Sequence, residues 1–512
     1  MQEARNQNIG RSVENTHALF WCGLLLAGCV AIMLAGRVFG PSALQRFDQP
    51  RTVSYTADVA LNGRWLLPRD MMGRTASKPP LVNWLAVPIV KLGFWTEWAV
   101  KLPMVGATLV STALTVWMAR RLFQQIRGMQ GIAFCAACIA GIAWIANPAN
   151  TTMVYHCRPD PVLVMFVTAG WILGTIVVCE KGAVSAAALA GFWVSVGLAA
   201  LTKGPAALVP VIYLPLAARL IGGRWSLVHR SRWWWGLPLA LGVFLAWAVP
   251  TAVAYPDPFF NVLVRQQFVA HALGLGEQFG NTQVTSEGPI AALKLINQNP
   301  VWFFQRFAPW SLLSIGALCV IGWRQWFRHP LAPAVLWTFL VLVFFAFSAH
   351  KTADYILAAY PAAAILAAYF CATFLRRFGV RLWQVGCVGL VLAFGFGARS
   401  MYFSNAAKYR AGENLKEFAR NIDNMVRDDP VVFLNTGYNT LQFFLHRHQP
   451  GRPTSAQIKA AKWAILPLQA DIPAEMTSKP VPRMQARLFT LGLYRIETVR
   501  PRLMQMIGTE ET

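Results

Sequence analysis

The chain has 512 residues, of which 56% are hydrophobic and 13% charged. A soluble domain averages about 45–50% apolar and about 25% charged residues, so the composition excludes an ordinary soluble protein and points to a polytopic membrane protein. The formal charge of +24 would suit nucleic acid, but no contiguous basic stripe or nucleic-acid fold signature accompanies it; arginine and lysine anchoring at a membrane boundary accounts for it.

A membrane-spanning helix needs about 20 predominantly apolar residues. In chain order, such runs lie near 17–39, 99–119, 131–147, 161–179, 184–201, 205–220, 235–254, 307–323, 331–347, 355–375 and 382–398, about eleven in all. The first has no recognisable small-residue cleavage site and reads as a retained anchor. The 21 tryptophans are expected at the membrane–water interfaces. Nearly all cysteines fall inside apolar runs, among them Cys135 and Cys138 of "GIAFCAACIAGIAW". Zinc and redox chemistry both need polar, accessible surroundings, so these read as small buried hydrophobes.

Short loops set the orientation. Positive charge gathers at "MARRLFQQIR", "RWSLVHRSR", "WRQWFRH" and "RRFGVR". With Arg5 and Arg11, all fall on one side of alternating spans. By the positive-inside rule that side is the cytoplasm. The region after residue 398 would then lie outside. It mixes a charged helical pattern ("NLKEFARNIDNMV") with short apolar runs between turn formers ("DDPVVFLNTGYN", "KWAILPL"), which predicts a small extracytoplasmic α/β domain over 399–512. No internal repeat stands out.

The other side of the bundle collects ionisable residues that anchoring does not need: Asp48, Tyr55 and Asp58 in the loop 41–98, Lys78 of "GRTASKPPLVNWL", and His156, Arg158 and Asp160 of "YHCRPD". It also holds Lys203 of "LTKGP", Arg265 in a long loop, and Lys351 and Tyr355 of "SAHKTADY". Ionisable groups at membrane depth are costly and mark function, and Lys78, Lys203 and Lys351 run against the positive-inside trend. A lipid phosphate at the outer leaflet would unite them, since lysine is a good point-charge partner for phosphate. A nearby aspartate could take a proton from an attacking hydroxyl.

The stretch "FDQPRTVSYTADVALNGRWLLPRDMMGRTASKPPLVNWL" resembles the first outer loop of the GT-C superfamily of membrane glycosyltransferases. The likeness is greatest to the bacterial aminoarabinose transferases and the protein O-mannosyltransferase-like group. "RPDPVLVMF", "GLAALTKGPAALVP", "FAPWSLL" and "SAHKTADYILAAYPAAAILAA" follow in the family's order over most of residues 45–370. The resemblance implies an all-α bundle of about 11–13 transmembrane helices over 1–398. It also implies an inverting enzyme of the bacterial inner membrane, which moves a monosaccharide from a polyprenyl-phosphate donor to a lipid, glycan or protein acceptor. It assigns catalytic roles to Asp48 and Asp160, and a lipid-phosphate pocket to Lys78, Lys203, Lys351 and Tyr355, with Arg265 aligning less well.

The chain departs from the family at Ser77, where the aminoarabinose transferases carry an acid, so no metal site is expected although divalent-metal chemistry is not foreign to such a site. No cofactor and no nucleotide-sugar site are implied. The rival readings are a polytopic transporter or lipid flippase, for which paired halves and midplane charges would be expected, and a ligase or polymerase acting on diphosphate-linked glycans.

Overall fold

The structure is a computed structural model and describes residues 2–39, 44, 49–153, 156–179, 182–270, 298–347, 352–405, 408–434, 439–467, 483–485 and 490–508. Asp48 and Lys351 lie outside the described residues.

Among the described residues, seven helical stretches are long and apolar enough to cross a membrane: Thr16–Val38, Glu97–Gln124, Asp160–Cys179, Ala186–Leu220, Trp233–Ala254, Tyr355–Phe378 and Leu382–Arg399. An eighth forms if Gln298–Arg306 and Trp310–Ile321, which meet at 110°, are taken together. Four of the expected spans are absent from this count as separate stretches for identifiable reasons. The expected spans 184–201 and 205–220 are present as the helices Ala186–Lys203 and Leu208–Leu220, joined without a gap through a 3-10 turn at Gly204–Ala207, and so count as one stretch by length. Arg230 Nη2 donates to the Gly182 carbonyl (2.6 Å) and Trp193 Nε1 to that of Ser231 (2.9 Å), so the chain doubles back at the turn and both passes stand. Those at 131–147 and 331–347 become the shorter helices Gln130–Ile145 and Ala332–Ala346. Every residue of Ala133–Ile145 except Phe134 is buried, so this is a core element wrapped by protein, and a bilayer thickness need not set its length. Tyr360–Thr373 is equally enclosed and packs against Ala133–Ile145, Trp310–Ile321 and Ala332–Ala346. Its alanines let neighbouring backbones approach closely, the usual basis of helix packing where lipid removes the hydrophobic driving force.

The tryptophans divide between two environments. Trp225, Trp233, Trp234 and Trp323 are exposed, as an interface belt requires. Trp171, Trp193, Trp247, Trp310 and Trp337 are buried instead, which corrects the expectation for them. Each indole N–H donates to a backbone carbonyl: Pro333 (3.2 Å), Ser231 (2.9 Å), Leu66 (2.8 Å), Ala146 (2.6 Å) and Ala358 (2.8 Å), respectively. Most of these carbonyls lie at helix ends or breaks, where no intrahelical donor remains. Burial without such a bond would cost several kcal/mol in an apolar surround.

Between the first helix and Glu97–Gln124 lie two short helices, Gln49–Asn62 and Leu81–Lys91, joined by the loop 63–80. Asn83 Nδ2 ties them by donating to the Thr52 carbonyl (2.9 Å) and Thr56 Oγ1 (3.0 Å). Pro80 caps the second helix, and its carbonyl accepts from Trp84 N at 2.9 Å. The Lys78-Pro79-Pro80 corner therefore starts an eleven-residue helix and leaves the lysine just before it.

The described residues between 408 and 508 form an α/β unit around a four-stranded sheet. In sequence β1 is Val431–Phe433, β2 Trp463–Pro467, β3 Arg483–Gln485 and β4 Thr490–Arg495. The spatial order is β1-β2-β4-β3, with β1 parallel to β2 and the other pairs antiparallel. This unit is seated on the 49–97 region. Lys416 Nζ donates to Glu97 Oε1 at 2.7 Å, Gly451 N donates to the Met71 carbonyl at 2.9 Å, and Trp95 lies 5.3 Å from Phe443. Gly73 and Gly451 meet backbone to backbone, both at positive φ (+77° and +82°), a conformation costly for any residue with a Cβ.

His448 completes the seat, its Nε2 donating to the Arg69 carbonyl at 3.0 Å. Burial holds this imidazole below its ordinary titration range, outweighing the Asp58 carboxylate 3.5 Å away.

Candidate active site

Three sequence punctuations bring charged side chains together. In "RPDP", Pro159 disfavours helical backbone at Arg158, and Pro161 suits a first helical turn where its missing N–H costs nothing. Asp160 therefore opens the helix Asp160–Cys179, with its charge at the positive end of the helix dipole. In "LTKGP", Gly204 at φ +66° ends the helix Ala186–Lys203 and leaves Lys203 on its last turn, where a cation is favoured. In "TADY", Asp354 immediately precedes the 3-10 turn Tyr355–Ala359 that leads into Tyr360–Thr373.

These ends converge. Lys203 Nζ donates to Asp160 Oδ1 at 2.5 Å and stands 4.6 Å from the centre of the Tyr355 ring. Arg158 Nε lies 3.5 Å from Asp160 Oδ2, while Arg158 Nη1 donates to Asp354 Oδ2. Arg306 Nη1 donates to the other Asp354 oxygen, Oδ1, at 2.5 Å. The result is an alternating row, Lys203–Asp160–Arg158–Asp354–Arg306. Its interior is dry: the Asp160 side chain is 2% exposed and that of Asp354 is 9% exposed. Lys78 stands close enough to add to the positive field at the Asp160 carboxylate. Gln49, the first residue of its helix, reaches the same place, since its Oε1 accepts from Cys157 N at 2.9 Å.

Of the sequence-chosen residues, Arg158, Asp160, Lys203 and Tyr355 are thus joined directly, with Lys78 nearby. Asp58 is fully buried in a different role. It accepts from Asn62 Nδ2 (2.7 Å), the Arg69 backbone N–H (2.7 Å) and Arg64 Nη1 (3.3 Å), and so pins the loop that carries Lys78. The Tyr55 hydroxyl points to the Thr75 carbonyl at 3.5 Å in the same loop. His156 is buried beside the row and Arg265 is exposed on Phe259–Ala270; neither is among the groups these bonds join.

Asp354 and Arg306 were not singled out from the sequence. Asp354 lies inside "SAHKTADY" and Arg306 inside "FFQRFAPW", each a charge at the border of an apolar run. That was the available signal.

A family model described as dolichyl-phosphate-mannose-protein mannosyltransferase matches residues 77–249, which include Lys78, Arg158, Asp160 and Lys203. The undecaprenyl phosphate-alpha-4-amino-4-deoxy-L-arabinose arabinosyl transferase of Aeromonas hydrophila is 27% identical over 67% of this chain and 60% of its own length. That of Proteus mirabilis (transferase 1) is 23% identical over 72% and 64%. The chain therefore spans somewhat under two thirds of these relatives.

Among solved structures, ArnT from Cupriavidus metallidurans bound to undecaprenyl phosphate superposes with a TM-score of 0.72 at 16% identity, covering 93% of this chain and 98% of that one. The Archaeoglobus fulgidus oligosaccharyltransferase gives 0.52 at 12% identity, covering 88% and 70%. The chain has the GT-C fold and resembles the aminoarabinose transferase group in sequence as well as architecture.

Proposed function

We propose that the protein is a glycosyltransferase that moves a monosaccharide from a polyprenyl-phosphate donor to a lipid, glycan or protein acceptor at the outer face of a bacterial cytoplasmic membrane. The observation that carries this reading is the row of cations and carboxylates where the ends of several helices meet. Among the described residues it holds three cations, Arg158, Lys203 and Arg306, against two carboxylates, Asp160 and Asp354, with Lys78 adjacent. A dry cluster with an excess of donors suits the anion that departs when a sugar leaves a lipid phosphate. The likeness to transferases named for undecaprenyl-phosphate-linked sugar supports the same reading.

The chemistry is a single displacement. The acceptor oxygen forms its bond to the anomeric carbon as the bond from that carbon to the phosphate oxygen breaks, so the configuration inverts. The phosphate keeps the electron pair and its growing charge is met by Lys78 and Lys203, with Lys351 as a third cation. The proton of the acceptor hydroxyl passes to Asp48. Asp160, already bonded to Lys203 and facing Arg158, fixes where those cations stand. Asp160, Lys203 and Asp354 stand at helix ends and not at the middle of a span, which favours a transferase site over a transport path.

Mass analysis of glycolipids and glycoproteins from a deletion strain tests the activity. One sugar modification should vanish and return with the wild-type gene, and an unchanged profile under conditions of expression would sink the assignment.

The arginine-rich loops support a cytoplasmic N-terminus, with residues 399–512 as an extracytoplasmic domain seated over the site. Single cysteines at positions 229 and 450 should be labelled by membrane-impermeant maleimide from opposite sides. Labelling of both from one side would overturn the orientation.

A further inference from the structure

Arg306 is the outermost member of the row. Its side chain is 40% exposed, against 10% for Arg158 and 12% for Lys203. It spends one nitrogen, Nη1, on Asp354. A guanidinium carries five N–H donors in a rigid fork, and among the described residues the Arg306 side chain makes no other hydrogen bond. It sits at the last residue of Gln298–Arg306, just before the chain turns by 110° into Trp310–Ile321. The C-terminus of a helix favours a cation, which explains an arginine there but not its aim at Asp354. An ion pair that remains this exposed contributes little to stability, so stability is a weak reason for the arrangement.

Asp354 has the complementary geometry. Each of its two oxygens accepts from a different guanidinium, Oδ2 from Arg158 and Oδ1 from Arg306. One carboxylate thus holds two cations that would otherwise repel each other, at a spacing set by its own width. Arg158 in turn faces Asp160, which holds Lys203 over Tyr355. The cations of this site are therefore placed by two acids in series.

Resting on the phosphate-donor reading above, we infer that Arg306 is a further phosphate-binding group of this site, and that Asp354 is the positioning residue that sets Arg306 and Arg158 relative to the anion. The planar fork matches two phosphate oxygens at once. The more exposed of the two arginines is the one a headgroup arriving from the membrane surface meets first.

The test uses the full-length purified protein in nanodiscs, and compares its affinity for undecaprenyl phosphate with that for undecaprenol, the same chain without the anion. Arg306→Gln should weaken undecaprenyl phosphate binding by roughly 10-fold or more, the range of a charge-assisted contact, and leave undecaprenol binding unchanged. Arg306→Lys should recover part of the loss. Asp354→Glu keeps the charge but moves it by one methylene, so it should lower the phosphate-to-alcohol preference; unchanged preference would mean that Asp354 supplies charge and not position. In the Asp354→Asn background, Arg306→Gln should cost little more, because coupled neighbours are not additive. Full phosphate preference in Arg306→Gln, alongside its loss in Lys203→Ala, would overturn the inference and leave the donor reading standing. A wild-type protein that fails to prefer the phosphate overturns both.

Discussion

Asp48→Asn is expected to lose sugar transfer by about 10²–10⁴-fold, the usual contribution of a positioned general base, while its thermal unfolding stays at the wild-type midpoint. Asparagine keeps the shape of aspartate but cannot accept the proton that an attacking hydroxyl must shed. Two observations point to this residue. The resemblance of its loop to the first outer loop of the GT-C transferases implies an acidic position here. Its chain neighbour Gln49 is hydrogen-bonded to Cys157 N, one residue from Arg158 and three from Asp160. The measurement is single-turnover transfer from the donor identified in the deletion strain, with undecaprenyl phosphate affinity as the control. Retained affinity with lost turnover is the expected split, because a base acts on the acceptor and not on the leaving phosphate. Wild-type turnover in Asp48→Asn would remove it from the mechanism.

Much of this was legible because the informative residues sit at punctuation marks. "RPDP", "LTKGP" and "KPPL" each place a charge beside proline or glycine, so the sequence itself says that a helix starts or ends there and that the charge stands at its tip. Convergence of those tips was foreseeable in kind, since six separated segments carried charges on one side of the membrane. Pairing was not. Asp160 selects Lys203, 43 residues away, and Asp354 selects Arg158, 196 residues away, and no local pattern encodes such partners.

Asp58 illustrates the opposite limit. In the sequence it is an acid in a functional loop, indistinguishable from Asp48. In the fold it is saturated by Asn62, Arg64 and Arg69, with His448 of the C-terminal unit beside it. The long spans were read well from hydropathy, which is the property a bilayer selects. The shorter helices Ala133–Ile145 and Ala332–Ala346 also stand where 131–147 and 331–347 were read, to within a residue or two at each end. The buried tryptophans were misplaced: an indole suits an interface, but it equally suits the interior when a helix break offers a free carbonyl.

Asp160→Asn is expected to damage the fold itself. The Asp160 side chain is 2% exposed, and its cationic neighbours Lys203 and Arg158 are 12% and 10% exposed. Removing one member of a buried ionic group leaves uncompensated charge in a poorly polarisable surround, which costs about 3–5 kcal/mol. Here one carboxylate holds two cations, so its loss also sets them against each other. The variant should unfold several degrees lower in nanodiscs.

Three companion measurements identify the cause. Adding Lys203→Met to Asp160→Asn should restore part of the midpoint, since deleting the stranded cation removes the penalty that stranding created. Undecaprenyl phosphate should raise the midpoint of Asp160→Asn more than that of wild type, because its phosphate can stand in as the missing anion and a ligand stabilises the state it binds. Undecaprenol, with no charge to offer, should do neither. If Asp160→Asn unfolds at the wild-type temperature, the cations do not depend on Asp160, and the carboxylate returns to consideration as a group free to act on substrate. If the midpoint falls but the phosphate gives no extra stabilisation, the row is a structural clasp, and the leaving phosphate must be held by Lys78 and its neighbours outside it.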